Sequence, residues 1–451
     1  MAQNSADTAN DLNLLSDLVT KATRAGADAA DAVLFESASL EVSYRLGARE
    51  DLERSESKDL GLRIFIGQKQ AIVSSTDMSP DSLNELLQRG LAMAAAMADD
   101  RYCGLADADR LCTDIPDLDL NDDAEPTPES LYDMAAEAET AALAVEGVSN
   151  SESAGASWGR NRIALVTSTG FAGGYSASSH SLFASVIAGE GTGMERDYDF
   201  TSARHGTDLQ APAEIGTAAG ERAVRRLNPR KVESQQVPVV FDPRVSHSLL
   251  GHFVGAISGS AVARGTSFLK DSMGEKVFAP GMTIVDDPHR PRGLASKPFD
   301  GEGVANRQWQ LVEDGELTTW IMDSASARQL GLATTGHASR GTSGPPSPST
   351  TNLYMQPGTS SRDELLAGIT SGLYVTELIG FGVNGVTGDY SRGAAGFWID
   401  NGTLAHPVSE LTIAGNLKDM FLNITPADDL TFRYGSNAPT LRIDGLMVAG
   451  T

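Results

Sequence analysis

Hydrophobic positions in the first hundred residues follow a helical spacing and then a strand-like one. Apolar residues recur on one face of residues 11–25, which predicts an amphipathic helix that ends before Gly26. A second helix is predicted to begin at Ser79 and Pro80, with serine as the cap and proline in the first turn. Four strand-like runs lie between the two helices, at residues 32–43, 50–57, 60–66 and 71–76.

The same order of elements recurs after an acidic, proline-bearing segment. That segment, residues 100–129, has no hydrophobic periodicity and is predicted to be a linker. Beyond it the pattern predicts a helix, four strands and a helix, at residues 130–146, 149–155, 162–167, 181–188, 194–201 and 211–227. Residues 62–73 and 182–193 occupy equivalent places, which indicates an internal duplication. We therefore divide this half into a first α+β repeat at 1–99, the linker and a second repeat at 130–230.

From residue 236 onward the pattern is mostly that of β-strands. Tight hairpins are predicted around Asp314-Gly315 and Asn401-Gly402, because these residue pairs accept the positive φ of such turns. The glycine-, proline- and serine-rich stretch at 341–351 predicts a mobile surface loop, a candidate flap over a cleft. A short strand, a short helix and a final strand are predicted at 237–241, 361–371 and 441–448. The predicted fold class is α+β: a duplicated helix–four-strand–helix region, then a β-rich, sandwich- or barrel-like C-terminal domain at 236–451.

One segment of this domain carries candidate metal-binding chemistry. Residues 245–260 predict a buried helix with His247 and His252 five residues apart. Neutral imidazoles on one helix are typical zinc ligands, although this spacing leaves them about 140° apart on a regular α-helix. Two ligands on one ion would be easier at a spacing of four residues, or with a π-type turn that brings residues i and i+5 into register. The residue after the first histidine, where a zinc hydrolase often carries its carboxylate base, is Ser248. The alternative is a pair of structural histidines in a core or an interface.

The sequence offers weak candidates for a third zinc ligand. His289, His337 and His406 are the other histidines in this half, while Cys103 and Cys112 lie far upstream. The glycines of the helix, at positions 251, 255 and 259, recur every four residues. Because glycine has no side chain, we expect another backbone to pack closely against this face.

Composition narrows the classes of partner. The formal net charge of −25 argues against nucleic acid and against anionic membranes, since both require a basic surface. Two cysteines are too few for a disulfide framework in 451 residues. No stretch reads as a signal peptide or as a membrane span, so we expect a soluble cytoplasmic protein.

Several motifs of the C-terminal half resemble those of the TldD/PmbA family. They include V-P-V-V-F-D-P at 237–243, F-D-G-E-G-V at 299–304, T-G-H-A-S-R-G at 335–341, N-L-Y-M-Q-P-G at 352–358, T-G-D-Y-S-R-G-A-A-G-F-W-I-D-N-G at 387–402 and I-A-G-N-L-K-D-M at 413–420. The duplicated N-terminal region of that family also matches the repeat, so the resemblance spans nearly the whole chain.

The resemblance implies a role next to a zinc peptidase. The catalytic TldD branch carries an H-E-x-x-x-H helix and a later cysteine. Here His247 and His252 occupy the histidine positions and Ser248 the glutamate position, and no cysteine lies between Asn416 and Pro439. The pattern resembles the PmbA (TldE) branch, the subunit without its own metal. It implies no cofactor in this chain, zinc in a TldD-like catalytic partner, and a heterodimer that degrades or processes unfolded peptides held as extended strands.

Two further hypotheses stay open on the sequence alone. The chain could be an autonomous peptidase that uses both histidines with a non-standard third ligand, or a homo-oligomer that binds peptides without catalysis. The candidates for substrate contact are Tyr390, Ser391 and Arg392, which lie in the densest motif. Their structural alternative is a tight turn fixed by the neighbouring glycines.

Overall fold

The computed structural model describes residues 2–450 and shows an α+β fold, as predicted. Its α-helices are α1 (Ala2–Arg24), α2 (Pro80–Ala96), α3 (Pro128–Leu143), α4 (Pro212–Arg225), α5 (Pro243–Ile257), α6 (Gly259–Ala263), α7 (Ser324–Leu330), α8 (Arg362–Ala367) and α9 (Leu417–Leu422). The strands of the first half are β1 (Ala29–Arg45), β2 (Ala48–Ile66), β3 (Lys69–Ser75), β4 (Val148–Thr167), β5 (Ala172–Ala188) and β6 (Glu195–Ala203). Those of the second half are β7 (Gln235–Phe241), β8 (Ile284–Asp287), β9 (Trp309–Glu313), β10 (Glu316–Leu317), β11 (Ala338–Ser339), β12 (Ser347–Pro348), β13 (Asn352–Met355), β14 (Ser371–Val383), β15 (Asp389–Asp400), β16 (Thr403–Asn416), β17 (Ile424–Pro426), β18 (Ser436–Asn437) and β19 (Leu441–Ala449).

The first six strands form one antiparallel sheet in the order β3-β2-β1-β4-β5-β6. Each predicted repeat supplies three strands to it, so the expected count of four is wrong. The predicted runs 50–57 and 60–66 are both part of β2, and 149–155 and 162–167 are both part of β4. The reason lies in the exposed half of β2, whose polar residues break the hydrophobic pattern while its backbone stays paired with β1.

Two helices cover each half of this sheet. Leu15 of α1 and Leu86 of α2 belong to one buried cluster with Leu62 of the sheet. In a second cluster, Ala135 of α3 and Ala219 of α4 pack with Trp158 and Leu182. The sheet therefore buries one face under four helices, which is the layered arrangement expected of an α+β unit.

The start of α2 differs in detail from the prediction. Pro80 lies in the first turn as expected, but the Ser79 side chain makes no capping hydrogen bond. Instead the Asp77 carboxylate accepts hydrogen bonds from the Ser79 N–H, at 2.8 Å, and from the Ser82 hydroxyl, at 2.6 Å. Asp77 thus binds the cap residue and the first turn of α2, while among the described residues no side chain caps the backbone N–H groups of that turn as predicted for the serine.

The acidic segment at 100–129 is irregular, apart from a short 3₁₀ turn at Ala108–Arg110 and the first residues of α3. It is nevertheless anchored, because Leu118 and Leu120 are buried and the Leu120 carbonyl accepts a hydrogen bond from the Ser178 N–H at 2.9 Å. The division of the chain into domains stays a prediction.

The C-terminal region is built around a five-stranded barrel. Its strands run in the order β16-β15-β14-β7-β19, and β19 closes the ring by pairing with β16. A smaller sheet, β10-β9-β8-β13-β18, shares the same core. Both predicted hairpin turns are confirmed, with φ of 48° at Asp314 and 47° at Asn401 and positive φ at the following glycines.

The loop at 341–351 packs against the N-terminal sheet. A Cβ atom built at Gly61 of β2 would lie 2.4 Å from the Thr342 carbonyl oxygen, so only glycine allows this approach. The role of the loop as a flap stays a prediction. Across residues 2–450, none of the helices combines the length and the apolar character that crossing a membrane requires.

Candidate functional site

The histidine helix forms as predicted but ends earlier. Asp242 caps α5 by accepting a hydrogen bond from the Arg244 N–H at 2.9 Å, and Pro243 occupies the first turn. Apolar residues such as Leu250 and Phe253 are fully buried and fix the helix in the C-terminal core. The helix stops at Ile257, because Ser258 adopts an extended conformation before α6 begins.

His247 is held by an aromatic ring. Its imidazole stacks on Tyr434, with ring centroids 4.6 Å apart and an interplanar angle of 27°. The Nδ1 atom lies 3.5 Å from the Pro243 carbonyl oxygen. Burial lowers the pKa of His247, which favours the neutral ring.

His252 contacts a different aromatic ring. It meets Tyr390 edge-on, with ring centroids 5.9 Å apart and an angle of 75°. Its Nε2 atom is buried and has no hydrogen-bond partner within the described chain. Burial and, to a smaller extent, the charge of Arg392 lower the pKa of His252. The two histidines thus lie in separate aromatic environments on one helix.

The Ser248 side chain is hydrogen-bonded within the helix. Its hydroxyl donates a hydrogen bond of 2.6 Å to the Val245 carbonyl oxygen of the preceding turn. This back-bonding is a usual arrangement for a serine within a helix. The side chain offers no carboxylate, the group that would accept a proton from a metal-bound water.

The other histidines do not complete a metal site with this helix. His289 contacts Asn306, with 2.7 Å between Nε2 and the amide oxygen, and His337 lies between Thr335 and Asp286. His406 sits opposite Trp398 in the barrel. Among residues 2–450 there is no group of three histidine, cysteine, aspartate or glutamate side chains placed to hold a metal ion. The donors around α5 therefore do not fit a zinc site.

Tyr390, Ser391 and Arg392 lie in strand β15, and the tight-turn alternative is wrong. All three pair with β16, and Tyr390 and Ser391 also pair with β14. The structure brings Tyr390 to His252, and the buried Tyr390 hydroxyl has no partner among the described residues. Arg392 is near the solvent-exposed Phe381, with 5.9 Å between its guanidinium carbon and the ring centroid. Substrate contact by these three residues stays a prediction.

The glycines of the helix behave differently from one another. A Cβ atom at Gly251 or Gly255 would meet nothing within 4 Å, so the expected close packing is wrong there. At Gly259 the same atom would lie 2.7 Å from Cγ of Met322, and the expectation is confirmed. The break after Ile257 explains the difference, because Gly259 belongs to the next helix.

Sequence reasoning missed a cavity of about 370 Å³ at the start of α5. Five arginines line it, from three different elements and an irregular segment, namely Arg222, Arg225, Arg244, Arg362 and Arg433. Tyr434, which stacks on His247, is also in the wall. These residues are spread over more than two hundred positions of the sequence, from Arg222 to Tyr434, so no local motif could have indicated the cavity.

Comparisons with known proteins agree with the resemblance found in the sequence. The family models described as PmbA/TldA metallopeptidase domain 1, central domain and C-terminal domain match residues 30–94, 121–227 and 234–450. Metalloprotease PmbA of Escherichia coli O157:H7 is 40% identical over 427 residues, covering 94% of this chain and 92% of the relative. A metalloprotease PmbA homolog of Haemophilus influenzae is 38% identical and covers 96% of this chain and 94% of its own length.

Solved structures agree as well. A candidate modulator of DNA gyrase from Bacteroides thetaiotaomicron superimposes with a TM-score of 0.89 at 28% identity, covering 97% of this chain and 98% of the other. TldE from Thermococcus kodakarensis gives a TM-score of 0.86 at 20% identity, covering 97% and 100%, and so shows a shared fold. The chain belongs to the PmbA/TldD metallopeptidase family.

Proposed function

We propose that this chain is the metal-free, non-catalytic subunit of a heterodimeric TldD/TldE-type zinc metalloprotease of the cytoplasm. The complex would degrade or process unstructured peptides, with zinc bound by a TldD-like partner. The observation that carries the proposal is Ser248, which stands on α5 where a zinc peptidase needs a carboxylate and is hydrogen-bonded to Val245 instead.

The surroundings of the two histidines support the same proposal. Neutral imidazoles are suitable zinc ligands, but His247 faces Tyr434 and His252 faces Tyr390, and within residues 2–450 they belong to no group of three possible metal ligands. Two ligands on one helix without a third leave a zinc ion underligated. Without a general base nearby, a bound water would also lack the group that removes its proton.

The first experiment is elemental analysis of zinc in the chain purified alone, after incubation with excess Zn²⁺ and gel filtration. We expect far less than one zinc per chain, and no change in the double variant His247→Ala, His252→Ala. About one zinc per chain, lost in the double variant, would overturn the proposal in favour of an autonomous peptidase.

The second experiment measures cleavage of an unstructured peptide by the TldD-type subunit of the same cell. We expect poor cleavage by that subunit alone, a marked increase when this chain is added, and full retention of the increase with the His247→Ala, His252→Ala variant. The control is the partner with its H-E-x-x-x-H glutamate changed to glutamine, which should be inactive. Unchanged cleavage on addition would contradict the proposal.

The mass of the native assembly distinguishes the proposed heterodimer from the remaining hypothesis, a homo-oligomer. A homo-oligomer that binds peptides without catalysis would keep its self-assembled mass when the TldD-type subunit is present. A mixed complex with one copy of each subunit supports the proposed heterodimer. We would measure both by native mass spectrometry at equal subunit concentrations.

A further inference from the structure

The cavity beside α5 combines an aromatic floor with two arginines that, among residues 2–450, lack a buried carboxylate partner. We call one part of this cavity the arginine pocket. It is defined by five residues: Arg225 of α4, Arg362 of α8, Tyr374 and Thr376 of β14, and Phe397 of β15. The chain as a whole carries a net charge of −25, yet five arginines and three aspartates line this cavity.

Three of the five arginines around the cavity already have buried carboxylates. Arg244 donates to Asp197 at 2.6 Å, and Arg222 and Arg433 approach Asp199 at 2.7 and 2.8 Å. These side chains form the wall between the second repeat and the barrel. Their charge is satisfied, so they are not the residues that would bind a ligand.

Arg225 and Arg362 have no such partner across the cavity. In the described part of the chain, Arg225 forms no ion pair, and its guanidinium carbon lies 5.0 Å from the ring centroid of Phe397. Arg362 contacts only the adjacent Asp363 among carboxylates, at 3.1 Å, and that side chain is 81% exposed. An exposed ion pair between adjacent residues, such as Arg362 and Asp363, contributes little stabilising energy. The guanidinium groups of Arg225 and Arg362 are therefore both available to bind an anion.

The floor of the arginine pocket sets the two cations next to each other. Tyr374 and Phe397 are paired directly across strands β14 and β15, which places their side chains side by side. Arg225 lies over Phe397, and Arg362 lines the same cavity as Tyr374. Two positive groups therefore border one aromatic surface from two different helices.

A β-bulge adds a hydrogen-bonding group. The register of β14 against β15 shifts between Val375 and Glu377, so Thr376 is the extra residue and has no cross-strand partner. Its Oγ1 atom is buried, and it has no hydrogen-bond partner among residues 2–450. Bulges often redirect a side chain next to a functional site. Here the bulge leaves a hydroxyl unused in the cavity wall.

The remaining acids of the lining are engaged with the protein. Asp242 accepts hydrogen bonds from the Tyr374 hydroxyl at 2.7 Å and from the Arg244 N–H at 2.9 Å. Asp429 accepts from the N–H and the hydroxyl of Thr440, at 2.8 and 2.7 Å. They therefore do not act as the counterions of Arg225 and Arg362.

We propose that the arginine pocket binds the free α-carboxylate at the C-terminal end of an extended peptide. Arg225 and Arg362 would hold the carboxylate, the Thr376 hydroxyl would donate to it or to the last peptide carbonyl, and Phe397 would contact an apolar terminal side chain. The planar fork of a guanidinium matches a carboxylate in bidentate geometry. The inference rests on the proposed function only in taking a peptide as the ligand.

The test is calorimetric titration of the full chain, without any partner, with one unstructured peptide ending in leucine, as the free acid and as the C-terminal amide. We expect the free acid to bind about tenfold more tightly, since hydrogen bonds to a charged group contribute more than neutral ones. Arg225→Gln and Arg362→Gln should each remove about that factor for the acid and leave binding of the amide unchanged. Thr376→Val, which keeps the shape and removes the hydroxyl, should weaken binding by a smaller factor.

The matched control is Arg196→Gln, which removes an arginine on the exposed side of β6, where it pairs with Glu152. It should bind both peptides like the unaltered chain. Equal binding of acid and amide, or an unchanged affinity in both arginine variants, would overturn the proposal. Competition by inorganic phosphate but not by acetate would also overturn it, because the ligand would then be a phosphate group.

These outcomes are separable from failure of the proposed function. Zinc bound stoichiometrically to this chain would refute the non-catalytic role and leave carboxylate binding intact. Conversely, a partner activated by this chain with no preference for the free acid would refute only the pocket. Thermal unfolding of each variant checks that the fold is retained.

Discussion

Buried ionisable side chains have opposite surroundings in two regions of the molecule. One region is the junction, where the N-terminal sheet contacts the C-terminal region, and the other is the histidine helix α5. At the junction, Asp31 of β1 forms buried ion pairs with Arg63 of β2 and Arg340 of the C-terminal region, all nearly inaccessible to solvent. On α5, His247 and His252 are also largely buried, yet they face tyrosine rings and no carboxylate.

The carboxylates of the junction are all held by donors. Asp300 accepts hydrogen bonds from three backbone N–H groups, those of Glu302, Val304 and Ala338, and burial, together with the charge of Glu302, raises its pKa above the usual range. Glu302 accepts from the Ser324 N–H at 2.8 Å. The difference shows that these buried acids hold the two halves together, whereas the buried histidines of α5 lie against tyrosine rings.

The largest effect is expected from breaking the junction. Asp31→Ala leaves two buried guanidinium groups without their shared counterion, which should lower the free energy of unfolding by about 3–5 kcal/mol. Denaturant unfolding followed by circular dichroism measures this. The control Asp17→Ala removes an exposed i, i+4 pair with Lys21 and should cost less than about 1 kcal/mol. Equal losses in both variants would show that the junction ion pairs are not special.

A smaller effect distinguishes Gly255 of α5 from Gly259, the first residue of α6. Gly255→Ala adds a methyl group in open space within α5, so we expect a gain of about 0.5–1 kcal/mol in unfolding free energy. Gly259→Ala should instead destabilise the chain, because its Cβ would lie 2.9 Å from the Ser326 hydroxyl oxygen and 3.1 Å from the Ile321 carbonyl oxygen. The same unfolding measurement tests both variants. A change of the same sign in their unfolding free energies would contradict the different packing described for the two glycines.

A still smaller effect is expected from pH. Burial holds the pKa of His252 below its usual value of 6.5 in the folded chain. The unfolded chain therefore binds more protons as pH falls below about 6.5, and folding stability decreases. In His252→Gln this contribution is absent, so unfolding free energies at pH 7.5 and 5.5 should differ less than in the unaltered chain. If the unfolding free energy changed equally between the two pH values in both proteins, His252 would make no contribution to the pH dependence of stability.

For one substitution, Ser248→Glu, we expect no effect on zinc binding or on peptide hydrolysis. Ser248→Glu places a carboxylate next to His247, as the proposed function expects of the catalytic partner, but adds no third metal ligand beside the two histidines. We expect neither zinc binding nor peptide hydrolysis by this variant alone, assayed by elemental analysis and by peptide cleavage. Zinc uptake or cleavage would mean that an unrecognised ligand comes within reach of His247 and His252.

Much of the fold follows from local sequence. The Asp314-Gly315 and Asn401-Gly402 turns, the cap and first turn of α5, and the amphipathic α1 are all determined by residues next to each other in the chain. These local rules identified the elements and placed Ser248 between the two histidines. They also supported the α+β class that the structure confirms.

Features that depend on distant partners could not be predicted in the same way. The polar half of β2 pairs with β1 although its side chains give no strand pattern. Gly251 lacks the close neighbour that its spacing suggested, because only the packing of the whole domain decides which helix face is covered. The arginine pocket is formed by residues of α4, α8 and two barrel strands. Each element contributes only one or two residues, which form no recognisable sequence motif.

The closure of the barrel also has a consequence for synthesis of the protein. Strand β7 pairs with β14 on one side and with β19 on the other, so strands near the start and end of this region are neighbours. The ring cannot close until residues 441–449 have left the ribosome, whereas the six-stranded sheet needs nothing beyond β6. Since domains generally fold as units during translation, the N-terminal sheet can be complete while the barrel still waits for its last strand.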